Sequence, residues 1–239
     1  KKVGPDVRLI YSDAYLWIDD TEQALDNLYL AKAANASSLK EGIDEKLLEA
    51  WIKKDSRLSV RKMIGEILSD QKTPPDNNLL AIFLTNDHIE KNDYQLLKKQ
   101  MLKYSDFNDE TRYLFAKIAL KFNDPGLSRQ QLNLIKASSQ LTAQKNYLLG
   151  AISVKERQFE KAKSYFAIAF EKAGKSSRTG KLIREACSMA LARIDLKLKD
   201  FESSTKHYDT IRLSSVFRNQ ALFEKSYALY KMGMIPKSV

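Results

Sequence analysis

The side chains that most often carry out catalysis or bind metal ions are few and widely separated in this sequence. The two histidines, His88 and His207, lie on separate segments, and neither has a histidine or cysteine at helical spacing with which to share a metal ion. Cys187 is the single cysteine, so no intrachain disulfide can form, and no nearby histidine could lower the pKa of its thiol. Adjacent carboxylates such as Asp19 and Asp20 are typical of a solvated helix face. We therefore predict no enzymatic activity, no cofactor and no metal site.

One segment, residues 169–176, satisfies a relaxed form of the phosphate-binding loop pattern, with the sequence Ala-Phe-Glu-Lys-Ala-Gly-Lys-Ser. A functional loop of that kind needs a strand before it and a helix after it, so that backbone N–H groups surround the phosphates. A strongly helical stretch precedes this segment instead. We therefore interpret Gly174 as the residue that ends this helix in a left-handed conformation.

The composition indicates long helices joined by short loops. The 239 residues are 44% hydrophobic and 29% charged, values that exclude intrinsic disorder as the main state, and they include only 8 Gly and 5 Pro. Such scarcity argues against turn-rich β-sandwiches and barrels. Apolar residues at intervals of three and four between Leu182 and Leu198 predict an amphipathic helix. Helix-breaking residues concentrate at 73–78, 123–126 and 174–180, and the first of these is a candidate bend between two helical arrays.

The formal charge of +10 is concentrated in the second half of the chain. Residues 1–120 contain 18 basic and 20 acidic side chains, whereas residues 121–239 contain 22 basic and 10 acidic ones. An excess of this kind attracts nucleic acid, anionic lipid or an acidic protein surface, and it does not choose among them.

A small-residue and aromatic pattern runs through residues 146–169. Leu149 and Gly150 are followed by an aromatic residue, Phe159, and by Ala162, Phe166 and Ala169. This pattern resembles the tetratricopeptide repeat, a helix–turn–helix unit of about 34 residues. In such a unit a small residue on each helix lets the two backbones approach, and the aromatic side chain fills the space beside the first helix.

Further units follow the same period. Two of them begin at Glu185 and Asn219, one repeat length apart, and a short insertion around 174–180 precedes them. Upstream, residues 5–38 fit the small-residue register, whereas units starting near residues 41, 78 and 111 keep mainly the period and the helical pattern.

The resemblance implies an all-α fold, a right-handed α-solenoid of antiparallel helix pairs with about seven pairs, the last one incomplete. We divide it into N-terminal helix pairs at 1–72, degenerate middle repeats at 73–142 and C-terminal repeats at 143–239. The apolar residues of the last unit are unlike a polar terminal cap, so we expect further chain or another molecule to cover them.

In this family the first helix of each repeat lines a concave groove. The resemblance places such a groove along the repeats that match the family pattern best. It implies an aromatic and aliphatic floor bordered by basic residues, and the alternative is that the apolar residues pack between neighbouring helices. The Asn that the family uses to bind C-terminal carboxylates is missing at the corresponding position. The residues that we predict to contact a partner are Tyr147, Met189, Phe223, Tyr227, Tyr230, Lys155, Arg193, Lys197 and Lys231.

A second, weaker candidate is a basic patch formed by Lys175, Arg178, Lys181 and Arg184. Its plain interpretation is a solvated, solubilising surface. Contact with anionic lipid or an acidic partner is the functional alternative, and nucleic acid is disfavoured because no aromatic residues are interleaved with the charges.

These features favour a scaffold or adaptor that assembles a larger protein complex by binding a segment with apolar anchors and acidic flanks. The alternative is a regulatory sensor whose groove binds a signalling peptide and changes curvature. The residue pattern of the last repeat resembles that of bacterial repeat proteins of the cell envelope. This resemblance slightly favours the periplasm over the cytoplasm as the expected location. The sequence contains no apolar run long enough for a membrane span.

Overall fold

The computed structural model describes residues 3–34, 37–69, 74–85 and 89–234. Across these ranges the chain forms thirteen α-helices and one short 3₁₀ helix, Ser37–Leu39, and it contains no strand. The predicted all-α class is therefore confirmed. The chain divides into two compact units, Lys1–Asp124 and Pro125–Val239. The segment boundaries proposed at residues 72 and 142 stay predictions about the repeats, and part of the candidate bend at 73–78 lies outside the described residues.

Seven helices form the first unit. They are α1 (Pro5–Trp17), α2 (Thr21–Ala33), α3 (Lys40–Lys53), α4 (Arg57–Ser69), α5 (Asn77–Leu84), α6 (Lys91–Lys103) and α7 (Asp109–Lys121). Their starts follow from the sequence, since Pro5 opens α1 and the side chains of Asp20, Asp76 and Asn108 cap α2, α5 and α7 by accepting hydrogen bonds from backbone N–H groups. Helix α3 packs against α5, α4 against α6, and α5 against α7.

Six helices form the second unit. They are α8 (Pro125–Leu134), α9 (Thr142–Lys155), α10 (Phe159–Lys172), α11 (Arg178–Lys197), α12 (Phe201–Asp209) and α13 (Arg218–Lys231). Each packs against the next from α8 to α13, and α9 also contacts α11. The core between α10 and α11 contains Phe166, Cys187 and Leu191, with Ala162 and Ala169 completely buried.

A close backbone approach occurs at Gly150, in the middle of α9. A Cβ atom at this position would lie 2.7 Å from Cε1 of Phe166 on α10. The side chain of Phe166 therefore occupies the space that only a glycine leaves open. This is the contact that the small-residue pattern predicts between the two helices of the unit.

Six three-residue linkers share one backbone geometry, which we call the pair turn. Each follows a helix at once, and the N–H of its third residue donates to the carbonyl oxygen five positions earlier, at 2.8–2.9 Å. This bond satisfies a carbonyl that the helix end leaves unpaired. The middle residue of each pair turn is left-handed, with φ between 52° and 72°. These middle residues are Asp19, Asp55, Asn123, Arg157, Lys199 and Gly233.

The pair turns recur with a regular spacing, because their middle residues lie at positions 19, 55, 123, 157, 199 and 233. Most of the successive intervals equal or lie close to the repeat period of about 34 residues. The longest interval, from 55 to 123, spans two periods, and the interval from 157 to 199 contains the predicted insertion at 174–180. In five of the six cases a second helix begins directly after the turn, at Thr21, Arg57, Pro125, Phe159 and Phe201.

The structure corrects the interpretation of Gly174. Helix α10 ends at Lys172, and Ala173 follows it in an extended conformation with φ −72° and ψ 129°. Gly174 does not have a positive φ. The close approach in this loop is at Gly180 instead, because a Cβ atom on Gly180 would lie 1.9 Å from the Gly174 carbonyl oxygen. The absence of a side chain at Gly180 thus lets the loop fold back onto the start of α11.

Candidate functional site

Helix α13 exposes three aromatic side chains, Phe223, Tyr227 and Tyr230, which we call the aromatic stripe. Their exposed fractions are 75%, 48% and 66%. Spacings of four and three residues place all three on one side of the helix. Large aromatic side chains are normally buried, so a contiguous exposed set of them is typical of a surface that contacts another molecule.

Lys231 lies against this stripe at the end of α13. Its Nζ atom is 5.3 Å from the ring centroid of Tyr227 and 5.9 Å from that of Tyr230. At these distances the ammonium group is attracted by the faces of the rings. The aromatic stripe therefore carries a positive charge at one end.

Two residues of the predicted groove floor are part of the interior. Met189 is only 2% exposed and packs with Ala192, Tyr208 and Ile211 between α11 and α12. Tyr147 is half-buried, its ring centroid lies 5.5 Å from that of Phe166, and burial raises the pKa of its hydroxyl. The burial of Met189 fits the alternative that the sequence left open, in which the apolar residues pack between neighbouring helices.

Arg193 forms a bridge between helices. It donates two hydrogen bonds to the carboxylate of Glu224 on α13, at 2.8 and 2.7 Å, and Glu224 also accepts one from the hydroxyl of Tyr208 on α12, at 2.7 Å. Burial alone would raise the pKa of Glu224, but these two partners hold it below its usual value. Such a bidentate pair fixes the orientation of both side chains. Arg193 therefore joins three helices, a different role from the free partner contact that the sequence predicts.

Lys155, Lys197 and Lys231 are each the last residue of a helix, at the ends of α9, α11 and α13. All three are exposed. A positive charge at this position interacts favourably with the C-terminal end of the helix dipole. The recurrence of lysine at these helix ends is therefore explained within each helix, without a shared binding surface. Lys197 also lies 5.9 Å above the ring of Phe159. A ladder of these three lysines along one groove edge stays a prediction.

The four residues of the basic patch differ in their surroundings. The side chains of Lys175, Arg178 and Lys181 are exposed and have no hydrogen-bonding or ionic partner among the described residues. Arg184 is fixed, because it donates to the backbone oxygen of Phe170 at 2.6 Å and its guanidinium carbon lies 3.7 Å from the centroid of the Phe170 ring. The sequence does not predict this stacking, since the two residues are 14 positions apart.

Of the groups considered for catalysis, Cys187 lies on α11 and His207 on α12. Burial raises the pKa of the Cys187 thiol to about 12, so it is protonated at neutral pH. His207 lies beside the buried carboxylate of Asp195, and its Nε2 atom is 3.5 Å from Oδ2. His88 lies outside the described residues. Within the ranges that the structure describes, no three or more His, Cys, Asp or Glu side chains are placed to hold a metal ion.

Sequence reasoning missed three acidic residues of the second unit, two buried and one half-buried, that form ion pairs between helices. Glu185 is paired with Arg212, Asp195 with Lys163, and Glu224 with Arg193. Each pair spans 27 to 32 positions, close to one repeat. A search of the sequence for oppositely charged residues at about the predicted repeat spacing could have found these pairs.

Comparison with known proteins adds no family assignment. The chain matches no family model, and no significant similarity to a characterised protein is found. In the described part of the chain, no helix is both long enough and apolar enough to cross a membrane.

Proposed function

We propose that the helix pairs of this chain are tetratricopeptide-like repeats that stack into a right-handed α-solenoid. The recurring pair turn supports this proposal, because a backbone geometry shared at intervals close to the repeat period is what a chain of equivalent units would have. The packing of Gly150 against Phe166 supports it at the level of a single unit. In such an array each unit contacts its neighbours and leaves an extended surface for binding.

The function that we propose is a non-enzymatic scaffold that binds a helical or extended protein segment and thereby assembles a larger complex. The observation that carries it is the exposed aromatic stripe of α13 with Lys231 beside it. Buried aromatic anchors supply most of the affinity in protein interfaces, and charges at the rim mainly affect the association rate. The partner segment would therefore present apolar anchors to the stripe and acidic residues to the lysines.

A peptide-display selection tests this function directly. The immobilised full chain is offered a library of random helical peptides, and we expect selected peptides to share two apolar residues at helical spacing and flanking Asp or Glu. Phe223→Ala and Tyr227→Ala should each weaken binding of a selected peptide by more than about 1 kcal/mol, roughly fivefold. The matched control is Trp17→Ala, which removes an even more exposed aromatic side chain from α1 in the first unit.

Two results would contradict the proposal. One is a set of selected peptides without apolar anchors. The other is a peptide whose affinity is unchanged by both aromatic substitutions but is reduced by Trp17→Ala, which would place the binding surface on the first unit.

A further inference from the structure

A cavity of about 340 Å³ lies beside the start of α11, apart from the aromatic stripe. Its lining comes from the end of α10, the loop before α11, the first half of α11 and the segment after α12. The lining residues are Phe170, Lys175, Lys181, Arg184, Glu185, Ser188, Thr210 and Arg212. We call it the basic cavity, because four of the eight are cationic and one is anionic.

The single carboxylate of the basic cavity is already neutralised. Glu185 accepts hydrogen bonds from Nε of Arg212 at 2.6 Å and from the hydroxyl of Ser215 at 2.8 Å. Although burial acts to raise it, the pKa of Glu185 is lowered by these two partners. The pairing of Glu185 with Arg212 therefore leaves Lys175, Lys181 and Arg184 without an acidic partner in the cavity.

These three cations differ in a way that suits an anionic ligand. The stacking of Arg184 on Phe170 and its bond to the Phe170 backbone oxygen hold one guanidinium in place, so binding costs little further side-chain ordering. The side chains of Lys175 and Lys181 have no partner among the described residues. Two hydroxyl groups complete the lining, since the oxygens of Ser188 and Thr210 are 2.8 Å apart.

We propose that the basic cavity binds the phosphate group of a small, soluble phosphomonoester. A phosphomonoester carries a charge of about −1.5 to −2 at neutral pH and three acceptor oxygens, which matches three uncompensated cations and two hydroxyls better than a carboxylate does. The site is a recess and not a flat patch, which favours a small molecule over a membrane surface. Residues 169–176 contribute only the side chains of Phe170 and Lys175 to this site, and the proposal does not invoke a phosphate-binding loop whose backbone N–H groups supply the donors.

The experiment is calorimetric titration of the full chain with two phosphomonoester probes, glycerol 2-phosphate and phenyl phosphate. The unsubstituted protein should bind at least one of them, and Lys175→Gln with Lys181→Gln should weaken that binding roughly tenfold or more. Arg184→Lys keeps the charge but removes the planar donor fork, so it should weaken binding as well. The matched control is Lys161→Gln with Lys199→Gln, which removes the same charge from exposed lysines of the second unit that do not line the cavity.

A separate arm uses phosphatidylcholine vesicles that contain phosphatidic acid, whose headgroup is also a phosphomonoester. Binding of the soluble probes that the cavity variants lose and the control variant keeps would support the proposal. It would be overturned by absence of binding to both soluble probes, by binding to the vesicles alone, or by an equal loss in the cavity and control variants. None of these outcomes depends on the aromatic stripe, so the proposed scaffold function is tested independently.

Discussion

Replacing Gly150 by alanine should destabilise the second unit, although the same change stabilises most helices. The new Cβ atom would lie 2.7, 2.8 and 2.9 Å from Cε1, Cδ1 and Cζ of Phe166. Carbon atoms prefer separations of about 3.5–4.0 Å, so the aromatic ring would have to move by nearly an ångström. The ring is only 2% exposed and packs among Ala162, Ala169 and Leu191, which leaves little space for that shift.

The expected magnitude is the difference of two effects. Overpacking a buried contact costs about 1–3 kcal/mol, and replacing glycine by alanine inside a helix gains up to about 1 kcal/mol. We therefore expect Gly150→Ala to lower the free energy of unfolding by up to about 2 kcal/mol, which is about 1–3 kcal/mol below the effect of the same change at an unobstructed helix position. Gly150→Leu adds three further carbon atoms at the same contact and should abolish the cooperative unfolding of the second unit.

The assay has to report on the second unit separately. Both tryptophans, Trp17 and Trp51, belong to the first unit, so tryptophan fluorescence follows that unit and far-ultraviolet circular dichroism follows both. Urea unfolding of Gly150→Ala should shift the circular dichroism transition while the fluorescence transition of the first unit stays in place. Hydrogen exchange of α9 and α10 should increase in the same variant.

Two controls separate the contact from general effects of the substitution. No atom lies within 4 Å of a Cβ built at Gly65 in the middle of α4 or at Gly126 in the first turn of α8, so alanine at either position should be neutral or stabilising. Adding Phe166→Leu to Gly150→Ala should cost less than the two single changes together, since the smaller side chain relieves the clash. A Gly150→Ala protein as stable as Gly65→Ala would refute the close packing of α9 and α10.

Three further results are expected. Burial lowers the pKa of His207 below its usual value of 6.5, although Asp195 acts in the opposite direction. The folded state therefore binds this proton less tightly than the unfolded chain. The free energy of unfolding should decrease as the pH falls below about 6.5. His207→Gln should remove that component when urea midpoints at pH 7.5 and 5.5 are compared, and an unchanged pH dependence would contradict it. Arg157→Gly should raise the urea midpoint of the second unit, because a left-handed arginine costs about 1–2 kcal/mol that glycine avoids. The greater entropy of glycine in the unfolded chain offsets part of this gain. A lower midpoint would argue against the left-handed pair turn. Glu224→Gln should weaken the bridge to Arg193 and lower the free energy of unfolding by about 1–3 kcal/mol in thermal or urea unfolding, whereas a change below about 0.5 kcal/mol would show that the bridge contributes little.

The choice of partner contacts shows where sequence reasoning reaches its limit. Periodicity placed Met189, Arg193, Phe223 and Tyr227 on helices, and all four are helical. It did not separate Met189, which is buried, from Phe223, which is exposed, because both are apolar residues at equivalent repeat positions. Their exposure depends on the neighbouring helix, since α12 covers the surface of α11 that carries Met189.

The pair turns show the same limit at the level of the backbone. Only one of the six left-handed positions is a glycine, Gly233, whereas the others are aspartate, asparagine, arginine or lysine. The local sequence therefore carries a weak signal for a conformation that costs such residues energy. In the four turns that join two helices of one unit, at Asp19, Asp55, Arg157 and Lys199, the packing of the flanking helices stabilises it, because the two helices meet only when the linker reverses the chain within three residues.

The sequence by itself determined the all-α class and the close approach at Gly150, because both depend on residue type and spacing along one chain. The tertiary structure alone decided which aromatic side chains remain exposed on α13, how Arg193 is held by Glu224, and that Lys175, Lys181 and Arg184 line one cavity with Phe170. Burial and ion pairing depend on which surfaces meet across helices. Arg193 and Glu224 are 31 positions apart and Arg184 and Phe170 are 14 apart, so no pattern within one helix predicts either contact.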